Sequence, residues 1–189
     1  MTLARTATRA DFVEVALDIL EDKGYGGVTI GALCRGVGVS TGSFYHHFQS
    51  MDDFVSVLLR QWEDDQREAM RHAAQEASEL RRIEIAKDLA GLFRHGAESA
   101  IRAWSLSNPE VLMVQRRVDA MRRANLVALI MRAGVDEAGA DLLASVGMAL
   151  LVGLQQLQDT GRHMADALDL YEGMILRSAQ LDPNGVEAS

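Results

Sequence analysis

Apolar residues recur at helical spacing over residues 10–23, where Phe12, Val13, Ala16, Leu17 and Leu20 share one side, Asp11, Asp18 and Asp22 take others, and Gly24 follows as a stop. This pattern predicts a first helix. A second, shorter helix is predicted after Thr29, whose hydroxyl can cap it, with Ile30, Leu33, Cys34 and Val37 on one side and Gly38 suited to a left-handed end. Beyond Val39, either Ser40 or Thr41 can cap a third helix carrying Phe44, Tyr45 and Phe48. Longer apolar periodicities then predict helices over 51–79, 83–94, 95–107, 110–133, 137–160 and 165–179, with Asn108, Pro109 and Gly134 as breaks. The only prolines are Pro109 and Pro183, so none interrupts a helix before residue 108. The fold class expected is all-α, with a small domain over 1–50 and a larger helical domain over 51–189.

Two short helices joined by a three-residue turn containing glycine form a helix-turn-helix, whose second helix enters the major groove of DNA. The residues at the start of that second helix suit the task. Ser40, Thr41 and Ser43 offer hydroxyls to phosphate or base edges, and Gly42 allows close backbone approach. Tyr45, His46 and His47 are expected on the exposed side, with Phe44 and Phe48 turned inward. Each also has a structural reading, as a helix cap or as padding at the edge of a core.

Charge sharpens this picture. The 189-residue chain carries a net charge of −8, which by its sum disfavours a polyanionic partner. Its distribution is uneven, with four basic and five acidic residues in 1–51 against fifteen and twenty-two in the remainder. From Gly24 to Met51 there is no Asp or Glu, as a surface facing phosphate requires.

Composition removes other classes. The content of 48% hydrophobic and 24% charged residues is that of a globular protein. No run of about 18 uncharged apolar residues suggests a membrane span, and the start MTLARTATRADF lacks the apolar core of a secretory signal, so a cytoplasmic location is expected. The single cysteine, Cys34, permits no disulfide framework and reads as a small buried hydrophobe. The adjacent His46 and His47 point about 100° apart on a helix and converge poorly on a metal, so no metal or cofactor is expected. No hydrolase, metalloprotease, Walker or dinucleotide motif occurs, and His72, His95 and His163 are expected dispersed on helix surfaces; an enzyme is not indicated.

The stretches ALDILEDKGYGGVTIGAL and GVSTGSFYHHFQSMDDF together resemble the N-terminal DNA-binding domain of the TetR family of bacterial transcriptional regulators, from about Thr8 to Leu59. The resemblance implies DNA contacts from Thr29, Ser40, Thr41, Gly42, Ser43, Tyr45, His46 and His47. Among these, Tyr45 and His47 match phosphate-reaching positions, while Thr41 and His46 match positions that vary with the base sequence read. Charge alone adds Arg5 and Arg9 as possible arm contacts. The chain departs from the family at Met51, where a lysine is common. Ser50 and Asp53 there are spaced as a capping pair, and Asp52 and Asp53 oppose a nearby phosphate.

The helices predicted over 137–160 and 165–179 are apolar around much of their circumference, which calls for cover beyond one small domain. The resemblance implies that this pair forms a four-helix bundle with its mate in a homodimer, through Leu143, Gly147, Leu150, Leu154, Leu168, Tyr171 and Ile175. It also implies a pocket for a small-molecule effector, for which residue type selects Trp62, Phe93, Trp104, Met113, Met121, Asn125 and Gln155 and suggests a largely apolar ligand. The function expected is that of a ligand-responsive repressor binding a palindromic double-stranded DNA operator. A helical ligand-binding or protein-interaction module without specific DNA recognition is the alternative.

Overall fold

The computed structural model of the chain describes residues 7–74, 90, 93–157 and 162–179. Most of the helix predicted over 83–94 lies outside the described residues. The described elements are α1 (Arg9–Lys23), a 3-10 turn (Tyr25–Gly27), α2 (Ile30–Val37), α3 (Thr41–His47), α4 (Met51–Ala74), α5 (His95–Ser105), α6 (Pro109–Arg132), α7 (Glu137–Gln156) and α8 (Arg162–Ser178), with no strand among them. The chain divides into two compact units. One comprises residues 1–64 and 96–115, the other 65–95 and 116–189.

In the first unit, local chemistry fixes the helix ends. Thr8 and Asp11 form a reciprocal capping box on α1, with the Thr8 backbone N–H donating to Asp11 Oδ2 at 2.7 Å. Thr29 Oγ1 accepts from Ala32 N–H at 3.2 Å, and Ser40, rather than Thr41, caps α3. Gly38 ends α2 at φ 79°, ψ 35°, a left-handed conformation that glycine adopts without a Cβ penalty, and its N–H donates to Cys34 O. Ser50 Oγ accepts from Asp53 N–H at 3.1 Å while Asp53 Oδ2 accepts from Gln49 N–H at 2.9 Å, so this pair caps α4 as its spacing predicts.

These caps bring four phenylalanines together. Phe12, Phe44, Phe48 and Phe54 are each at most 1% exposed. Phe12 meets Phe44 and Phe48 edge to face, with centroids 5.7 and 5.5 Å apart, and Phe54 meets Phe48 the same way at 5.0 Å. Leu17, Leu20, Leu33, Leu58 and Leu59 complete the core. Farther along the unit, the Tyr25 and Trp104 rings stack 3.8 Å apart, and the Trp62 indole N–H donates to buried Glu98 at 2.9 Å.

The second unit is built around α7 and α8. Ala140, Leu143, Ala144, Tyr171, Ile175 and Leu176 are buried together with Ile130 and Ala133 from the end of α6. Close packing needs Gly147, since a Cβ there would lie 2.5 Å from the Tyr171 ring. The Tyr171 hydroxyl donates to Leu143 O at 2.8 Å. By length and composition α7 is apolar enough to cross a membrane, a weak signal that the buried core helix of a globular protein also gives.

Burial pushes the Tyr171 phenol up to about 12. Because the folded chain retains a proton that the unfolded chain releases near pH 10, the stability present below pH 10 falls as pH rises through 12. Urea unfolding of the native chain and Tyr171→Phe across pH 9–12 should show a shallower alkaline decline in the variant.

Candidate nucleic-acid interface

The face that α3 presents follows from its anchoring. Phe44 and Phe48 are buried in the phenylalanine core, so Thr41, Gly42, Tyr45 and His46 are exposed, with Tyr45 55% exposed. Ser40 is exposed with its hydroxyl engaged in the cap, Ser43 is half-buried and donates its N–H to that hydroxyl, and Thr29 is exposed at the start of α2. His47 is half-buried, with its ring 5.7 Å from that of Phe12. The eight sequence-predicted positions thus lie at the starts of two successive helices and along one side of α3. Gly42 is not required by the fold, because a Cβ there would meet only Ser40 Oγ, at 3.7 Å.

Arg9 does something its charge alone did not indicate. Rather than standing free in an arm, it sits in the first turn of α1, and its guanidinium donates to the His47 carbonyl through Nε at 3.1 Å and a terminal nitrogen at 2.7 Å. It also lies over the Phe48 ring, 5.5 Å from the centroid. A cation at a helix C-terminus meets the partial negative charge of the last carbonyls, so Arg9 fastens the end of α3 to the start of α1. No local pattern announces a contact across 38 positions. Arg5 lies outside the described residues.

The effector candidates are shared between the two units. Trp62, Trp104 and Met113 belong to the first unit, the two indoles buried in their stack and hydrogen bond and Met113 58% exposed. Phe93, Met121, Asn125 and Gln155 belong to the second. Asn125 is exposed, donating to Met121 O at 2.9 Å, whereas Gln155 is buried at 1% exposure. The second unit contains an apolar cavity of about 70 Å³ whose walls include Leu126, Leu129, Met148, Leu151, Leu168 and Ile175.

Sequence reading named Gln155 in this unit but missed the buried polar side chains His95 and Arg122. His95, expected on a helix surface, is buried at 7% exposure, and Gln155 Nε2 lies 3.2 Å from its Nδ1. Arg122, also buried, donates to Gln66 Oε1 at 2.6 Å and covers the Phe93 ring at 4.7 Å. A polar residue on an otherwise apolar helix was the available signal for Gln155. His95 and Arg122 had none, since their helices carry many charges.

Of the positions expected at a dimer interface, Leu143, Gly147, Leu168, Tyr171 and Ile175 are buried within the chain's own second unit, and Leu150 and Leu154 are half-buried. The apolar residues exposed on α7 and α8 are instead Leu142, Val146, Leu157 and Leu170. Periodicity identified the apolar helices, but both carry more than one apolar side and each side needed its own cover.

Caps, turn and anchored helix make the first unit a helix-turn-helix domain within an all-helical chain. Residues 12–58 match the model of the family described as bacterial regulatory proteins, tetR family. An uncharacterized HTH-type transcriptional regulator, YwcC, of Bacillus subtilis is 39% identical over 57 residues, 30% of this chain and 26% of its own length. The HTH-type transcriptional repressor KstR2 of Rhodococcus jostii is 28% identical over 64 residues, 34% of this chain and 31% of its own. The matches to these relatives therefore span only about a quarter to a third of either protein. Solved structures extend the likeness of fold to nearly the whole chain. A transcriptional regulator from Rhodococcus sp. superposes with a TM-score of 0.77 at 20% identity, covering 94% of this chain and all of that one. A regulator from Saccharomonospora viridis, solved in complex with choline, gives 0.72 at 22% identity over 86% and 94%.

Replacing Arg9 with alanine should lower unfolding stability by about 1 kcal/mol, the net worth of the lost hydrogen bonds. Guanidinium-induced unfolding checks this.

Proposed function

We propose that this chain is a DNA-binding transcriptional repressor that reads a palindromic operator as a homodimer and is released by a small, largely apolar effector. The observation that carries the reading is the outer side of α3, where Thr41, Gly42, Tyr45 and His46 are exposed within a stretch free of carboxylates from residue 24 to 51. In such a dock, the amide donors and hydroxyls at the start of α3 take phosphate, and Thr41 and His46 meet base edges. Tyr45 and His47 add contacts to the backbone. The repressor name of the R. jostii relative favours repression over activation.

The dimer reading draws on Leu142, Val146 and Leu157, an exposed apolar stripe on α7 at helical spacing, together with Leu170 on α8. Two α3 helices related by a twofold axis would read half-sites about 34 Å apart. The effector reading draws on the cavity in the second unit and on the bound choline of the S. viridis neighbour. Helices α4, α5 and α6 contribute residues to both units, giving an effector a covalent route to the DNA-reading unit. The chain is read as cytoplasmic, where its DNA is.

Fluorescence anisotropy with DNA flanking its own gene tests DNA recognition. Specific, saturable binding is expected, and its absence over many sequences would favour the interaction-module alternative. Gly42→Ala should not lower thermal stability, since the fold has room for the methyl group, while a close backbone approach to DNA at this position would make it weaken binding about tenfold. Met51→Lys should steepen the slope of log affinity against log salt by about 0.9 for each phosphate gained. Sedimentation of the full chain should give a dimer at micromolar concentration, and Leu142→Glu with Leu157→Glu should give a monomer.

A further inference from the structure

Helix α3 reads TGSFYHH and carries neither lysine nor arginine, and between Gly24 and Met51 the sole residue of either kind is Arg35. A helix that enters DNA nonetheless needs cations beside it, because neutralising phosphate supplies the affinity that does not depend on base sequence. Two arginines of the first unit, Arg9 and Arg35, flank α3 in the way this requires.

Arg9 is exposed, yet its guanidinium is held in one place. Nε and Nη2 both donate to the His47 carbonyl, at 3.1 and 2.7 Å, and the Phe48 ring lies 5.5 Å from the guanidinium carbon. Those two bonds use one edge of the fork. Nη1 has no partner among the described residues, and the carboxylate of the same turn, Asp11, accepts from the Thr8 amide and hydroxyl. A planar guanidinium that is anchored along one edge and keeps donors on another is ready to take a phosphate without first losing side-chain freedom. Its location follows from the length of α3. Seven residues span about 10 Å and the major groove is about 12 Å wide, so with the start of α3 on base edges its far end stands at the groove wall, where the phosphates run. Arg9 is fastened at that far end.

Arg35 is exposed on α2 and makes no hydrogen bond among the described residues. A Cβ on Gly31 would lie 3.5 Å from its Nη1, so the side chain runs back one turn toward the start of the helix, where Thr29 is exposed. The first helix of a helix-turn-helix crosses the DNA backbone, which sets this cation over phosphate on the other flank of α3.

We propose that Arg9 and Arg35 are the phosphate grip of this chain, two cations on the flanks of a reading helix that has none of its own beyond its histidines. The proposal rests on the DNA-binding reading above and assigns its electrostatic part to residues. Neither arginine reads bases, since Arg9 is tied to backbone at the end of α3 and Arg35 stands on α2. Their contribution is therefore the same on every DNA sequence.

Fluorescence anisotropy of the full chain over a salt series tests this with two duplexes of equal length, one of DNA flanking its own gene and one with that sequence scrambled. Arg9→Gln and Arg35→Gln should each reduce the slope of log affinity against log salt by about 0.9 per protomer, on both duplexes alike. Arg177→Gln, which removes the same charge from an exposed position on α8, should leave the slope as it is. An Arg9 that only positions α3 would lower affinity with the slope intact. Arg35→Gln keeps the test open if Arg9→Gln fails to fold, because Arg35 holds nothing in the fold and its replacement should melt with the native chain. A slope unmoved by both replacements, a loss confined to the flanking duplex, or an equal loss from Arg177→Gln would overturn the grip and, with the native chain still binding, leave the DNA-binding reading standing. A native chain that binds neither duplex at low salt would overturn both.

Discussion

The packing of Phe12 between Phe44 and Phe48 is the contact on which the helix-turn-helix of the molecule depends. A seven-residue helix such as α3 is too short to persist on its own, because nucleation costs more than so few hydrogen bonds return. Its conformation and its direction are therefore imposed by what it is packed against. Burying two phenylalanines four residues apart on one side leaves one rotation of the helix available, and in that rotation Thr41, Gly42, Tyr45 and His46 face solvent. Arg9 adds a polar fastening at the far end, where the last carbonyls would otherwise face water. None of the exposed residues holds the helix in place.

The second unit obeys a different constraint. Its helices α7 and α8 present apolar side chains on more than one side, and the close contact of Gly147 with Tyr171 uses one of those sides inside the chain. The exposed stripe from Leu142 to Leu157 is the surface that the first packing leaves over. The unit also keeps a small apolar cavity and a buried glutamine paired with His95.

What could be read in advance tracks the range of the interactions involved. Caps and stops are local, so Thr29, Gly38 and the Ser50 and Asp53 pair were legible from spacing alone and stand where spacing put them. The helices could likewise be delimited to within a few residues, as with 110–133 against Pro109–Arg132. The inward turn of Phe44 and Phe48 was legible because their four-residue spacing leaves little choice. Contacts between distant segments were not. The Arg9 bond to His47, the Tyr25 and Trp104 stack and the Gln155 and His95 pair each join residues whose local surroundings resemble those of many others. Trp104 and Trp62 read as pocket residues by type, and the fold uses both in the core of the first unit.

By itself, then, the order of residues determined an all-helical chain, the position of its helix-turn-helix and the carboxylate-free stretch that faces outward, because capping, turn chemistry and periodicity act over three or four residues. Only the tertiary structure decided which apolar side of α7 is spent within the chain, where His95 is buried, and what Arg9 holds. Those outcomes turn on which of several similar apolar or charged surfaces meet, and that choice is made by the packing of whole helices rather than by the residues along any one of them.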